Sequence, residues 1–140
     1  MTTRRDARRI AIDILYQADI TDESPLDVMA GWEAADRSVP AFSRELVDGV
    51  VDHGPEIDLL LEEHAEGWTV ARMPALDRSI LRLAVEEVLH KPDVPDSVAI
   101  SEAVEAASEL SADESRRFVN GVLGRIAREA AAAAGESGGS

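Results

Sequence analysis

Cysteine is absent from the 140 residues, so no disulfide, thiolate zinc site or cysteine nucleophile is available; this usage suits a reducing compartment and points to a cytoplasmic protein. Aromatic residues are few: two Trp, two Phe and one Tyr. The hydrophobic share of 45% comes mostly from Ala, Val, Ile and Leu, a supply that suits packed helices better than β-sandwiches. No apolar run approaches the roughly 18 to 20 residues that a membrane span needs. The opening MTTRRDARR leads into a segment broken by Asp13, Gln17 and Asp19, so neither a span nor a signal peptide is expected. Positive charge is scarce too, with 14 Lys and Arg against 28 Asp and Glu, a net charge of −14.

Such a balance ordinarily disfavours nucleic acid, because neutralisation of phosphates by Lys and Arg supplies most non-specific affinity. The average conceals segregation. From Asp19 to Glu66 there are fourteen acidic residues against Arg37 and Arg44, whereas Met1 to Arg9 carries Arg4, Arg5, Arg8 and Arg9 against Asp6 alone. An acidic body offers a surface to something basic and a basic end offers one to something anionic, although an acidic excess also serves simply to keep a protein soluble.

The length allows one domain with a sizeable core. Thr3-Arg4-Arg5-Asp6 reads as a capping box, and Ala7, Ile10, Ala11, Ile14, Leu15 and Ala18 recur at helical spacing to about Asp19. Ser24-Pro25 opens a second helix with Leu26, Met29 and Trp32 inward. A third carries Phe42, Leu46, Val47, Val50 and Val51 as far as Gly54-Pro55, and a fourth carries Ile57, Leu60 and Leu61 to Gly67. Trp68 to Met73 reads as a bridging turn. Pro74 opens a fifth helix with Leu76, Ile80, Leu83, Ala84 and Val88 inward, which Lys91-Pro92 ends. SVAISEAVEAASEL makes the sixth, and Ser111-Ala112-Asp113-Glu114 reads as a second capping box opening a seventh through Phe118, Val119, Val122, Leu123 and Ile126. No strand pattern appears. The expected fold class is all-α, a seven-helix antiparallel bundle of two helical subdomains, roughly residues 1–67 and 68–129, followed by an alanine-rich and then Gly/Ser flexible tail over 130–140.

Catalytic and metal signatures are missing. His53, His64 and His90 do not pair at the spacing of an HExxH motif, and there is no GxSxG elbow, phosphate-cradling GxxxxGK[ST] loop or GxGxxG turn. Neither an enzyme nor a metal site nor a cofactor is expected. Gly121-Val122-Leu123-Gly124 falls inside a helical apolar pattern, where it reads as close helix packing rather than as an RNA-binding GxxG loop.

Arg4, Arg5, Arg8 and Arg9, at i, i+1, i+4 and i+5, share one side of the first helix, and the stripe they form is expected to be exposed, so that removing Arg5, Arg8 and Arg9 would leave the fold intact. Guanidinium groups pair bidentately with phosphate and stack on splayed bases. Tyr16 lies about two turns further along, where its ring could stack on a base or sit half-buried in the core. Arg116, Arg117, Phe118 and Asn120 form a second cluster early in the last helix, with Phe118 divided between base contact and core, and Asn120 between a base edge and the backbone.

The order and spacing of RRDARRIAIDILYQ, ELVDGVVDH, DRSILRLAVEEVL and VPDSVAISEAVEAASELSADESRRFVNGVLGRIA, over roughly Arg4 to Ala127, resemble the NusB family of bacterial transcription antitermination factors. The resemblance implies an all-helical, non-catalytic factor that pairs with the basic ribosomal protein NusE to bind a single-stranded boxA RNA element. It further implies a role beside RNA polymerase in the transcription of ribosomal RNA operons. It assigns RNA contact to Arg4, Arg5, Arg8, Arg9, Tyr16, Arg116, Arg117, Phe118 and Asn120, and NusE contact to Asp77, Arg78, Arg82 and Glu86. The resemblance leaves both a monomer and a homodimer open, since family members form both, and a dimer could bury the basic helix. Ser101, Ser108, Gly124 and Arg125 depart from the residues common in the family. Two rival readings are a purely protein-binding module and the NusB-like domain of a ribosomal RNA cytosine methyltransferase; no α/β cofactor domain lies within the 140 residues to favour the latter.

Overall fold

The computed structural model describes residues 2–138. Thr3 opens helix α1 (Arg4–Thr21) as the sequence predicts: its hydroxyl accepts from the Asp6 backbone N–H while the Asp6 carboxylate accepts from the Thr3 N–H, satisfying two donors that a bare helix end would leave free. The Ser24 hydroxyl caps α2 (Pro25–Ala34) by accepting from the Leu26 N–H. Helix α3 (Ala41–Asp52) is separated by His53 alone from α4 (Gly54–His64), and Gly67, at φ +78°, turns the chain into a single 3-10 turn at Val70–Arg72. Then follow α5 (Ala75–His90), α6 (Asp96–Leu110) and α7 (Asp113–Gly138). Among the described residues there are these seven α-helices and no strand.

Helix α5 holds the middle. It packs against α1, α3, α4, α6 and α7, which is why its buried residues Ile80, Leu81, Leu83, Ala84 and Val85 occupy more than one face. A single apolar cluster runs from Ala11 on α1 to Ile126 on α7 and includes residues of every helix, so the halves on either side of the bridging turn share one core. Gly49 on α3 is where that packing is tightest: a methyl group there would overlap the carboxylate of Glu86 on α5.

Three local expectations are corrected. Ser111 does not cap α7, because its hydroxyl is spent on the carboxylate of Asp77, 2.7 Å away on α5. Gly121 and Gly124 are not points of close helix packing; a Cβ at either would meet only the guanidinium of Arg125 or Arg128, at 3.3 Å, lying along the same helix. The expected flexible tail is helical through Gly138, with residues 131–135 exposed, in keeping with the high helix propensity of its alanines. Gly139 and Ser140, the last two residues of that expected tail, lie outside the described residues.

Leu83→Ala and Val119→Ala, both at buried positions, are expected to lower stability by on the order of 2 kcal/mol in urea denaturation. Gly49→Ala, which on helix propensity alone would stabilise, is expected to destabilise because Glu86 cannot keep its place.

Candidate nucleic-acid interface

The arginines of α1 divide into one that points inward and three that point outward. Arg8 is 7% exposed, and its Nε donates to Glu87 Oε1 of α5 at 2.7 Å, with Glu87 itself 1% exposed. The expectation of an exposed four-arginine stripe is corrected here: Arg8 shares the inward face of α1 with Ile12 and Leu15 and is part of the interior. Arg4 meets Asp93 at 2.9 Å; Arg5 reaches Glu102 at 3.2 Å and Glu105 at 2.7 Å; Arg9 reaches Glu109 at 3.1 Å. Phe42 lies under the guanidiniums of Arg4 and Arg8, 4.4 and 5.4 Å from its ring centre. The basic edge of α1 is thus matched by an acidic ridge on α6, whose members at i, i+3 and i+7 fall on one side of that helix.

The second cluster lies across α6 from the first. Arg116, Arg117 and Asn120 are exposed on the opening turns of α7, and neither arginine has an ion-pair partner among the described residues. Arg116 and Asn120 line a groove of about 610 Å³ between α6 and α7, together with Ser97, Ile100, Ser101, Val104, Glu105 and Ser108. Glu105 links the two clusters, since it walls this groove while holding Arg5. Phe118 is half-buried against the core and meets Trp68 edge-on, with ring centres 6.2 Å apart. Tyr16 is 40% exposed and lies seven residues beyond Arg9, on the same side of α1 by helical geometry.

Sequence reasoning missed several residues on or near this face. Trp68, 46% exposed beside Phe118, sits in the bridging turn with no periodic pattern to mark it. The ridge Glu102, Glu105 and Glu109 was legible as helical spacing, but its partners were not. Ser101 and Ser108, which stand out in the sequence only as departures from the family pattern, both line the groove.

The four residues assigned to a protein partner separate as well. Asp77 is 3% exposed and accepts from the hydroxyls of Ser111 and Ser115, each at 2.7 Å. Glu86 is 2% exposed and pairs with His53 Nδ1 at 2.8 Å. Both carboxylates are engaged inside the bundle. Arg78 and Arg82 instead reach a groove between α4, α5 and the end of α1, lined also by Asp19, Asp58, Leu59 and Glu62. There Arg78 donates to Asp19 at 2.9 Å and to the carbonyl oxygens of Val70 and Met73, and Arg82 pairs with both oxygens of Asp58 at 2.9 Å. Leu59 is 59% exposed beside them, so the groove offers paired charge around an uncovered apolar residue.

Burial pushes the Glu87 carboxyl above its ordinary value, and the Arg8 guanidinium pulls in the opposite direction. Arg8→Met is expected to cost on the order of 3 kcal/mol, because it strands Glu87 in the interior. In that variant the Glu87 pKa rises further. A folded-state value above the unfolded one makes the native state the better proton binder, so the variant gains stability as pH falls through the folded Glu87 value and is weakest above it. Carboxyl NMR titration and urea denaturation across that window check both signs. Arg5→Gln, at an exposed position, is expected to leave stability nearly unchanged.

The model of the NusB family matches residues 5–128. Among curated proteins, the transcription antitermination protein NusB of Salinispora arenicola (strain CNS-205) is 46% identical over 134 residues, covering 93% of this chain and 98% of its own. The protein of the same name from Saccharopolyspora erythraea is 50% identical over 130 residues, covering 91% and 88%. Among solved structures, T. maritima NusB superposes with a TM-score of 0.82 at 33% identity, over 91% of this chain and 92% of that one. A chain from a crystal structure of the antitermination factors NusB and NusE in complex with double-stranded RNA superposes at 0.78 and 28% identity, over 90% and 96%. With a family model spanning nearly the whole helical body and relatives close to half identical along it, this chain belongs to the NusB family.

Proposed function

We propose that this chain acts in transcription antitermination by binding boxA-type RNA jointly with NusE. RNA lies over the face made by α1, α6 and the start of α7, and NusE covers the acidic groove of α4 and α5. The observation that carries this reading is the pair of cation clusters flanking one groove, with Arg116 and Arg117 free of ion-pair partners among the described residues and Asn120 beside them. Arg4, Arg5 and Arg9 add guanidiniums whose carboxylate partners can be exchanged for phosphates, Tyr16 adds a ring, and Phe118 with Trp68 adds an aromatic pair on the other flank of α7. Arg8 serves this face indirectly, by fixing α1. The reading is supported by the kinship with antitermination proteins and by the structural likeness to a NusB that crystallises with NusE and RNA.

Net charge explains why the two ligands belong together. A body at −14 repels RNA beyond the reach of its own arginines, and a basic protein seated on the acidic side removes part of that repulsion. On the same reading the NusB–NusE–RNA assembly works in the cytoplasm with RNA polymerase, and a homodimer closing over α1 would compete with RNA. The NusE contact rests on Arg78, Arg82 and Leu59, with Asp77 and Glu86 holding α5 in place behind them.

Fluorescence anisotropy of a short boxA-like RNA, single-stranded and as a duplex, titrated at two salt concentrations with and without NusE, tests the proposal. Salt-sensitive binding tightened by NusE is expected; no binding in any arm leaves a protein-interaction module. Arg116→Ala/Arg117→Ala is expected to weaken single-stranded RNA binding and to flatten its log–log salt slope by about 0.7 for each phosphate left without its cation. Glu102→Gln/Glu105→Gln/Glu109→Gln, which releases Arg5 and Arg9, is expected to tighten it.

A further inference from the structure

Two of the three histidines meet at the corner where α3 turns into α4 against the end of α5. The rings of His53 and His90 stack with centres 3.7 Å apart and 17° between planes. His53 Nδ1 lies 2.8 Å from a carboxylate oxygen of the buried Glu86, and His90 Nε2 lies 3.3 Å from Glu56. We propose that His53, Glu86 and His90 form a binding site for a divalent ion of the zinc class, with Glu56 or a water completing the shell.

Three observations support this. One ligand atom each from His53, Glu86 and His90 can be chosen so that all lie within 4.8 Å of one another. Tetrahedral N and O ligands about 2.0–2.1 Å from zinc are about 3.3 Å apart, a contraction that side-chain torsions on fixed helices can supply. Nε2 of His90 is buried and, although 3.3 Å from Glu56, has no hydrogen-bond partner among the described residues, so it is a lone pair or N–H without an occupation. Both rings can aim a lone pair at one ion only once the stack opens, a rotation about the Cβ–Cγ bonds that leaves the helices in place. Finally, Glu86 reaches this corner only because position 49 is glycine; a Cβ there would overlap its carboxylate, so the backbone of α3 is shaped around this group.

Sequence reasoning passed this site over because it looked for paired histidines on one helix. Glu86 and His90 are one turn apart on α5, but the third ligand, His53, comes from the junction between α3 and α4. The other His/Glu cluster, Glu63, His64 and Glu129, has only His64 away from full exposure, and Arg125 already satisfies the His64 carbonyl; it lacks an unoccupied buried ligand atom.

The test uses the full chain without an affinity tag, stripped with a chelator and titrated with Zn²⁺ by calorimetry and with Co²⁺ by visible absorption. One ion per chain is expected, with the intense bands of low-coordinate Co²⁺. His53→Gln and His90→Gln should each weaken binding by at least about tenfold, with helicity unchanged because both rings are partly exposed. His64→Gln should bind as the parent does. The Co²⁺ spectrum of the unmutated chain decides independently of any variant: weak octahedral absorption or no saturable uptake overturns the proposal. Full binding by the folded His53→Gln/His90→Gln double variant overturns it too.

Discussion

A buried ion pair between Arg8 of α1 and Glu87 of α5 sets the terms for the rest of the molecule. Helix α5 is wrapped by five other helices, and a carboxylate near its end is almost wholly buried, with one of its oxygens unpartnered among the described residues. Only a cation brought in by a neighbouring helix can keep that charge inside. Arg8 supplies it, and in doing so fixes both the rotation and the height of α1. Once Arg8 faces inward, Arg4, Arg5 and Arg9 have no choice but to lie along the outer edge beside α6. The orientation of the outward arginines therefore follows from a core interaction, and the proposed interface inherits the rigidity of the bundle.

Charge held in balance is the second constraint. The chain carries twice as many acids as bases, yet the outward arginines of the N-terminal helix, Arg4, Arg5 and Arg9, are each met by a carboxylate from beyond α1. Surface pairs of this kind contribute little stability, so their value lies elsewhere. On the proposed reading they keep the basic edge from binding anions indiscriminately and leave Arg116 and Arg117 as the cations of this face open to a first encounter. A phosphate chain that engages those two can then exchange with Glu105 and its neighbours for Arg5, because phosphate and carboxylate compete for the same planar fork.

Most of the fold was legible, because caps and helical periodicity are local. The Thr3–Asp6 box, the Ser24 cap and the Gly-Pro junction of α3 and α4 all stand where the pattern put them. What stayed hidden were partnerships across the chain. Arg8 lies in register with Ile12 and Leu15, a sign that it faces inward, but its reason for doing so is 79 residues away. Ser111 has the residue type of a cap and was claimed by Asp77, 34 residues earlier. The residues of the candidate interface were readable as types; that they flank one groove, separated by an acidic ridge, depended on how α1 and α7 dock on α6. The partner set divides for the same reason, since α5 is buried on most sides and, of the four residues, only Arg78 and Arg82 reach the open groove.

The central claim is that one rigid face, spanning α1, α6 and the start of α7, receives RNA when NusE occupies the acidic side. Amide hydrogen exchange of the chain alone, with NusE, and with NusE and boxA-like RNA tests it most directly. NusE is expected to protect the segment around α4 and the outer turns of α5, and RNA then to add protection over residues 4–20 and 101–120 without slowing exchange elsewhere in the bundle. RNA-dependent protection confined to α2, α3 or the far end of α7, with residues 4–20 and 101–120 unchanged, would contradict it.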